Sequence, residues 1–220
     1  MYKYFVKNGV TPDDISEEYR LIYIPLHLEP EVALLSVSPE FNNSWEMISW
    51  ISKASPANTL LVVKEQPFSF GIRSKGLYEH LRRMPNVVLA HPKVHPWEWI
   101  MASQGTATIT GTAAIEAINM SRRVLSFGCH QFVNLLPTVR FASDYTSTLK
   151  GLNDLLMIKD GDSSFDLSRK SLNKAQIDNS FEMVGIEYPK LSPEDEEGLA
   201  QVAKEALCKF YPHHFQVDEK

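Results

Sequence analysis

Cysteine is almost missing from this chain: Cys129 and Cys208 are its only two in 220 residues. That is too few for a disulfide framework and implies no cysteine metal site. The paired His213 and His214 have no carboxylate or histidine partner at ligand spacing, so no metal is expected. Long hydrophobic runs are missing too. None approaches the roughly 20 residues that cross a bilayer, and the opening MYKYFVKNGVTPDD lacks the apolar centre of a secretory signal. Basic residues are not in excess, since the formal net charge is -5, which argues against a nucleic-acid-binding surface. No Gly-x-Ser-x-Gly elbow, Walker loop or dinucleotide glycine fingerprint occurs, which lowers hydrolase, NTPase and dehydrogenase readings. The expectation is a soluble protein of the reducing cytoplasm, with no metal and no bound cofactor.

What is present is enough apolar material, 44% of the residues, to bury a full core. Short apolar runs alternate with helical patterns. Leu21 to Leu26, Thr59 to Val63, Val87 to Ala90, Thr106 to Thr110 and Arg123 to Phe127 read as buried strands. Helices are expected up to about Ala54, from Lys75 to Arg83, after His95-Pro96, from Ala113 to Met120 and within Tyr145 to Ile158. Strands alternating with helices at this spacing indicate βαβ units and a Rossmann-like α/β fold, a parallel sheet flanked by helices. Residues 1–20 read as a polar lead-in, 21–160 as the sheet domain and 161–220 as a helical extension. In that extension Ser192-Pro193-Glu194-Asp195 caps a closing helix running to about Phe210. Its apolar stripe would pack on the domain, a partner or a second copy.

Ligands of open α/β sheets bind outside the carboxyl ends of the strands. Those ends bring His27, Glu29 and Glu31, then Lys64, Glu65 and Gln66, then His91, then Thr110, Gly111, Thr112 and Ala113 toward one crevice. A strand ending on Thr-Gly-Thr and turning into an Ala-rich helix aims unpaired N–H groups and a positive dipole end at one point, which suits a phosphate. Lys64 supplies a cation, Arg73 is a second candidate, and Glu116 stands one turn in, where a carboxylate reaches a ribose hydroxyl. His27, Glu31 and His91 are the candidates for catalysis, the histidines as proton carriers near neutral pH. The same pattern also fits an ordinary strand-turn-helix, with lysine and arginine as a solvated face and histidine filling turns beside proline.

Five segments together resemble the capsule polysaccharide biosynthesis family of B-type glycosyltransferases, some of which use a CMP-activated sugar acid. They are PLHLEPE (Pro25 to Glu31), LLVVKEQP (Leu60 to Pro67) with GIR (Gly71 to Arg73), MPNVVLAHP (Met84 to Pro92), TITGTAAIEA (Thr108 to Ala117) and VLSFG (Val124 to Gly128), in the family's order over about residues 21–130. The resemblance implies a C-terminal, donor-binding half. Lys64 and the Thr110 to Ala113 turn would hold the nucleotide phosphate, with Glu116 near the ribose. Two departures stand out. The family's Lys-x-His-Pro appears as Lys64-Glu65-Gln66-Pro67, so an uncharged amide replaces a histidine beside the leaving phosphate. The first strand also lies almost at the start of the chain, so the acceptor half, with its catalytic base, is expected on a separate polypeptide or a second copy. Peripheral membrane association would come through such a partner. Two other readings remain: a non-catalytic scaffold of polysaccharide assembly, and an epimerase-like sugar-nucleotide enzyme.

Overall fold

The computed structural model describes residues 1–178 apart from 30, 32–33, 36–37, 39–40, 42, 130–131 and 158–161, and beyond them 186–187 and 190–191. Six short runs form one parallel sheet: Arg20–Pro25 (β1), Thr59–Lys64 (β2), Val87–Leu89 (β3), Gly105–Thr108 (β4), Arg123–Ser126 (β5) and Val139–Phe141 (β6). Most of their residues are buried, as expected of strands covered on both faces. The order is β3-β2-β1-β4-β5-β6, with Tyr23 of β1 opposite Val62 on one side and Thr106 on the other. This is a doubly wound, Rossmann-like arrangement, and the chain reverses its direction of winding between β1 and β4.

The helices of the first compact unit, Met1–Lys170, are Tyr2–Asn8 (α1), Ser44–Ala54 (α2), Lys75–Arg83 (α3), Pro96–Ala102 (α4), Ala113–Asn119 (α5) and Tyr145–Met157 (α6); Ser163–Asp178 (α7) begins in it. Local chemistry sets their starts. Asn43 Oδ1 accepts the N–H groups of Trp45 and Glu46 at the head of α2, while His95, Pro96 and Glu98 form a capping box at the head of α4. Gly105 and Gly151 let α6 press onto the sheet. A Cβ on Gly105 would come within 2.6–2.8 Å of Leu155, and one on Gly151 within 2.6 Å of Leu125.

Because side chains alternate along a strand, the two faces of the sheet differ. Ile22, Ile24, Leu61, Val63, Ala107 and Leu125 face α2, α3 and α6 in the main hydrophobic core, together with Phe5 of α1. The opposite face carries Tyr23, Val62, Lys64, Thr106, Thr108 and Val124, where α4 and α5 bury Trp99, Ile100, Ala114 and Ile118.

Several expectations are revised by these positions. The first twenty residues, read as a polar lead-in, contain α1 with Phe5 fully buried, and Val10 pairs with Ala90 at the outer edge of β3. Strand β4 stops at Thr108 rather than Thr110, because the N–H groups of Ile109 and Thr110 turn to His27. Strand β6, too short to stand out as an apolar run, was not foreseen. The second unit, Ser171–Lys220, shows an antiparallel pair, Ile186–Glu187 (β7) with Lys190–Leu191 (β8). The closing helix expected from Pro193 to Phe210 and the turn at 159–162 fall wholly or mostly outside the described residues.

Candidate functional site

A cleft of about 300 Å³ opens at the carboxyl ends of β1, β2 and β4, at the reversal of winding where open α/β sheets take ligands. Strand β1 and its exit contribute Tyr23, Pro25, Leu26 and His27; β2 and its exit contribute Lys64 to Phe68. Thr108, Thr110 to Ala113 and Glu116 form the opposite wall, and Pro96 closes one side. Every substrate-binding residue expected from sequence lines this cleft except Arg73. Of the three candidates for catalysis, only His27 does.

His27 is 6% exposed and works as a fastener for the Thr-Gly-Thr turn. Its Nε2 accepts the N–H groups of Ile109 and Thr110 at 3.2 and 3.3 Å and lies 3.1 Å from Thr108 Oγ1. An Nε2 that accepts two backbone N–H groups is unprotonated, so the proton belongs on Nδ1. Burial pushes the imidazole pKa down to about 4, with Glu29 acting upward and Arg73 downward. This arrangement runs against the expected proton transfer near neutrality, since the ring is neutral there and its Nε2 is occupied. Gly111 completes the turn at φ +108, the left-handed region that favours glycine, and a Cβ there would sit 3.4 Å from the His27 ring.

Lys64 is 6% exposed. Its ammonium donates to the carbonyls of His91 and Pro92 at 3.4 and 3.3 Å, contacts at the long end of hydrogen bonding. Burial lowers its pKa, partly countered by Glu98. Gln66 lines the cleft with its amide donating to Leu26 O at 3.1 Å. Glu116 is half-buried on the far wall and, after burial, is the second cause that raises the pKa of Tyr23. The leading N–H groups of α5, at Ala113 and just before it, have no partner within the helix.

Glu65 and Arg73 do something other than the ligand contacts expected of them. Glu65 is 2% exposed; Arg73 Nη1 donates to both its oxygens at 2.7 and 2.6 Å, and the Gln66 N–H and the Tyr78 hydroxyl donate to it as well. Arg73 Nη2 donates to the His27 carbonyl and lies 3.5 Å from Glu29 Oε1. That same Glu29 oxygen accepts Ser44 N at 2.8 Å and Ser44 Oγ at 2.6 Å. Burial works against the Arg73 charge, but Glu65, Glu29 and Tyr78 together outweigh it and raise the guanidinium pKa. Burial, then the bond to Glu65, raises the Tyr78 pKa. The cluster ties the exits of β1 and β2 to α2 and α3, so the second expected phosphate cation is committed to carboxylates. Glu29 and Tyr78 were not picked out for this role, because a sequence does not show which neighbours a buried carboxylate recruits.

Glu31 and His91 stand apart from the cleft lining. His91 accepts Lys93 N at Nδ1 and contributes its carbonyl to Lys64. His95 caps α4, the helix expected after His95-Pro96. Sequence reasoning missed Tyr23, Pro25, Leu26, Pro67, Phe68, Pro96 and Thr108 as lining. Tyr23 could have been found from strand alternation, since it shares a face with Lys64's neighbour Val62 across the sheet.

Fold and site together define a Rossmann-like α/β protein with a small-molecule cleft at the switch point of its sheet. No family model matches the chain, and no curated protein is similar to it. Among solved structures, it is similar to a spinosyn rhamnosyltransferase, SpnG, bound to spinosyn aglycone, with 13% identity and a TM-score of 0.48 over 73% of this chain and 42% of that one. It is also similar to the β-Kdo 2,7 transferase of KpsC from Thermosulfurimonas dismutans, with 14% identity and a TM-score of 0.48 over 74% and 56%. A protein assigned as a UDP-N-acetylglucosamine 2-epimerase from Listeria monocytogenes has 16% identity and a TM-score of 0.48 over 89% and 46%. The chain thus spans roughly half the length of these proteins or less. Likeness this distant assigns no family. Among the described residues no helix is long and apolar enough to cross a membrane.

Proposed function

We propose that this chain is the donor-binding half of a capsule-type glycosyltransferase, holding a nucleotide-activated sugar, with a CMP-linked sugar acid as the preferred donor. The observation that carries the reading is the composition of the cleft at the reversal of winding. A buried ammonium, Lys64, stands at one wall, the glycine turn that opens α5 at the other, and a carboxylate, Glu116, beyond it. A cation and oriented amides stabilise a phosphate, while a carboxylate accepts from ribose hydroxyls. The volume, about 300 Å³, is at the small end for ligand sites. It suits the nucleotide, with the sugar projecting toward an acceptor half.

In the completed cleft the reaction is inverting glycosyl transfer. The fixed donors at the phosphate would stabilise the departing nucleotide, while the base that activates the acceptor comes from the other half. Work in the reducing cytoplasm is part of the same reading. Calorimetric titration with CMP and with UDP tests it: CMP binds, and UDP binds more weakly or not at all. Binding of neither removes the donor-site reading. One observation favours a non-catalytic scaffold instead, namely that His27 and Arg73 are both engaged within the protein; that protein would ignore both nucleotides.

A further inference from the structure

The charge of the chain is unevenly placed. Its formal total is -5, yet α1 and α3 carry Lys3, Lys7, Lys75, Arg82 and Arg83 against the single carboxylate of Glu79, and these five cationic residues are exposed. The two helices lie side by side. Phe5 meets Tyr78 edge-on at 4.8 Å, and the Tyr4 ring sits 5.8 Å from Lys75 Nζ and 6.0 Å from the Arg82 guanidinium.

Apolar side chains are exposed on α1 itself and on the loop packed against it. Tyr2 and Val6, one turn apart on α1 beside Lys3 and Lys7, are 45% and 40% exposed. The loop leaving β2 adds Phe68 at 88% and Ile72 at 59%. This loop is joined to α1 through Phe70, which meets Tyr2 at 5.5 Å and Phe5 at 5.1 Å. A globular surface keeps large apolar groups in water only at a cost. Here aromatic and aliphatic tips are interleaved with cations, the pattern of a surface that lies in the headgroup region of a bilayer.

We propose that the face built from α1, α3 and the 66–73 loop docks directly on an anionic lipid surface, with Phe68 and Ile72 entering the boundary between headgroups and acyl chains. Five exposed cations on two adjoining helices of an acidic protein select a negatively charged partner. The apolar tips then choose among such partners. A nucleic acid can stack a base on Phe68 but offers nothing to Ile72 and Val6, and a protein would need a pocket shaped for them, whereas a bilayer receives protruding side chains without one. Pro67 and Phe68 also line the cleft, so docking would set the cleft mouth at the membrane surface. The proposal stands whether or not the cleft binds a nucleotide.

Sedimentation of the full chain with vesicles tests it, using phosphatidylcholine alone and phosphatidylcholine mixed with phosphatidylglycerol. The protein is expected to pellet with the anionic vesicles only, and to be released by high salt. Replacing Lys3, Lys7, Arg82 and Arg83 by Gln weakens binding by roughly fivefold per side chain removed. The pair Phe68→Ser and Ile72→Ser weakens it in low salt as well. Circular dichroism and an unchanged thermal midpoint show that the variants fold. Failure to pellet with anionic vesicles overturns the proposal, and so does binding that is indifferent to the Ser pair. Retention on immobilised polyglutamate without vesicle binding would assign the face to an acidic protein and likewise overturn it.

Discussion

Lys64 and Glu65 follow one another at the end of β2, and the alternation of a strand sends them to opposite sides of the sheet. Lys64 enters the cleft, where its ammonium makes two long contacts with carbonyls. Glu65 enters the other side, where Arg73, Tyr78 and the N–H of Gln66 occupy its carboxylate. Both residues are almost wholly buried. What separates them is satisfaction: the Glu65 side is closed on itself, so it braces loops, whereas the Lys64 side is under-used and faces open space, so it can accept a ligand. Charge at the carboxyl edge of a sheet is therefore no guide to binding until its partners are counted.

The largest expected effect lies on the closed side. Arg73→Ala leaves the carboxylates of Glu65 and Glu29 without their cation, and loss of one member of a buried pair costs about 3–5 kcal/mol. Urea unfolding should show that loss as a lower midpoint. A midpoint equal to that of the parent protein would remove the distinction between the two sides.

Next is the pH response of the fastener. The His27 pKa is held at about 4 against an ordinary value of 6.5, so between those values the unfolded chain binds the extra proton. Stability is therefore complete above about pH 6.5 and declines as pH falls toward 4, by on the order of 3 kcal/mol. His27→Gln, measured by unfolding at pH 7 and at pH 5, should flatten this slope. An unaltered slope would place the titration elsewhere.

On the open side, Lys64→Ala and Glu116→Ala should each weaken nucleotide binding by about 1–3 kcal/mol, the scale of a charged hydrogen bond, with folding retained. Calorimetry reads this directly, and unchanged affinity in both would take the ligand away from these walls.

How far this was legible from sequence follows the same division. Short apolar runs such as Leu60 to Val63 showed the strands, and Thr110-Gly111-Thr112 showed the turn, because both signals are local. The strand order was not legible, since it depends on which strands meet after the chain has crossed the sheet. Lys64, Glu65 and Gln66 were read as one set although a period of two already divides them. Arg73 was read as a phosphate cation because an arginine shows its charge in sequence but not the carboxylates that will claim it. Phe5 was hidden for a similar reason: in a helix of seven residues its apolar neighbours Tyr2 and Val6 are exposed, so no clear period marks Phe5 as the buried one.

The smallest effect comes from an ion pair close by in sequence. Lys75 Nζ meets Glu79 Oε1 at 2.7 Å, with side chains 61% and 42% exposed, while the Arg73 and Glu65 side chains are 7% and 0% exposed at 2.6 Å. Distance is nearly the same, so the difference in value must come from solvent. Water and salt screen the outer pair, and holding two long side chains together costs entropy. Lys75→Ala should leave the urea midpoint where it was, at low and high salt alike. A loss comparable with that of Arg73→Ala would mean that burial is not what gives the inner pair its strength, and the contrast between the closed and open sides would need another cause.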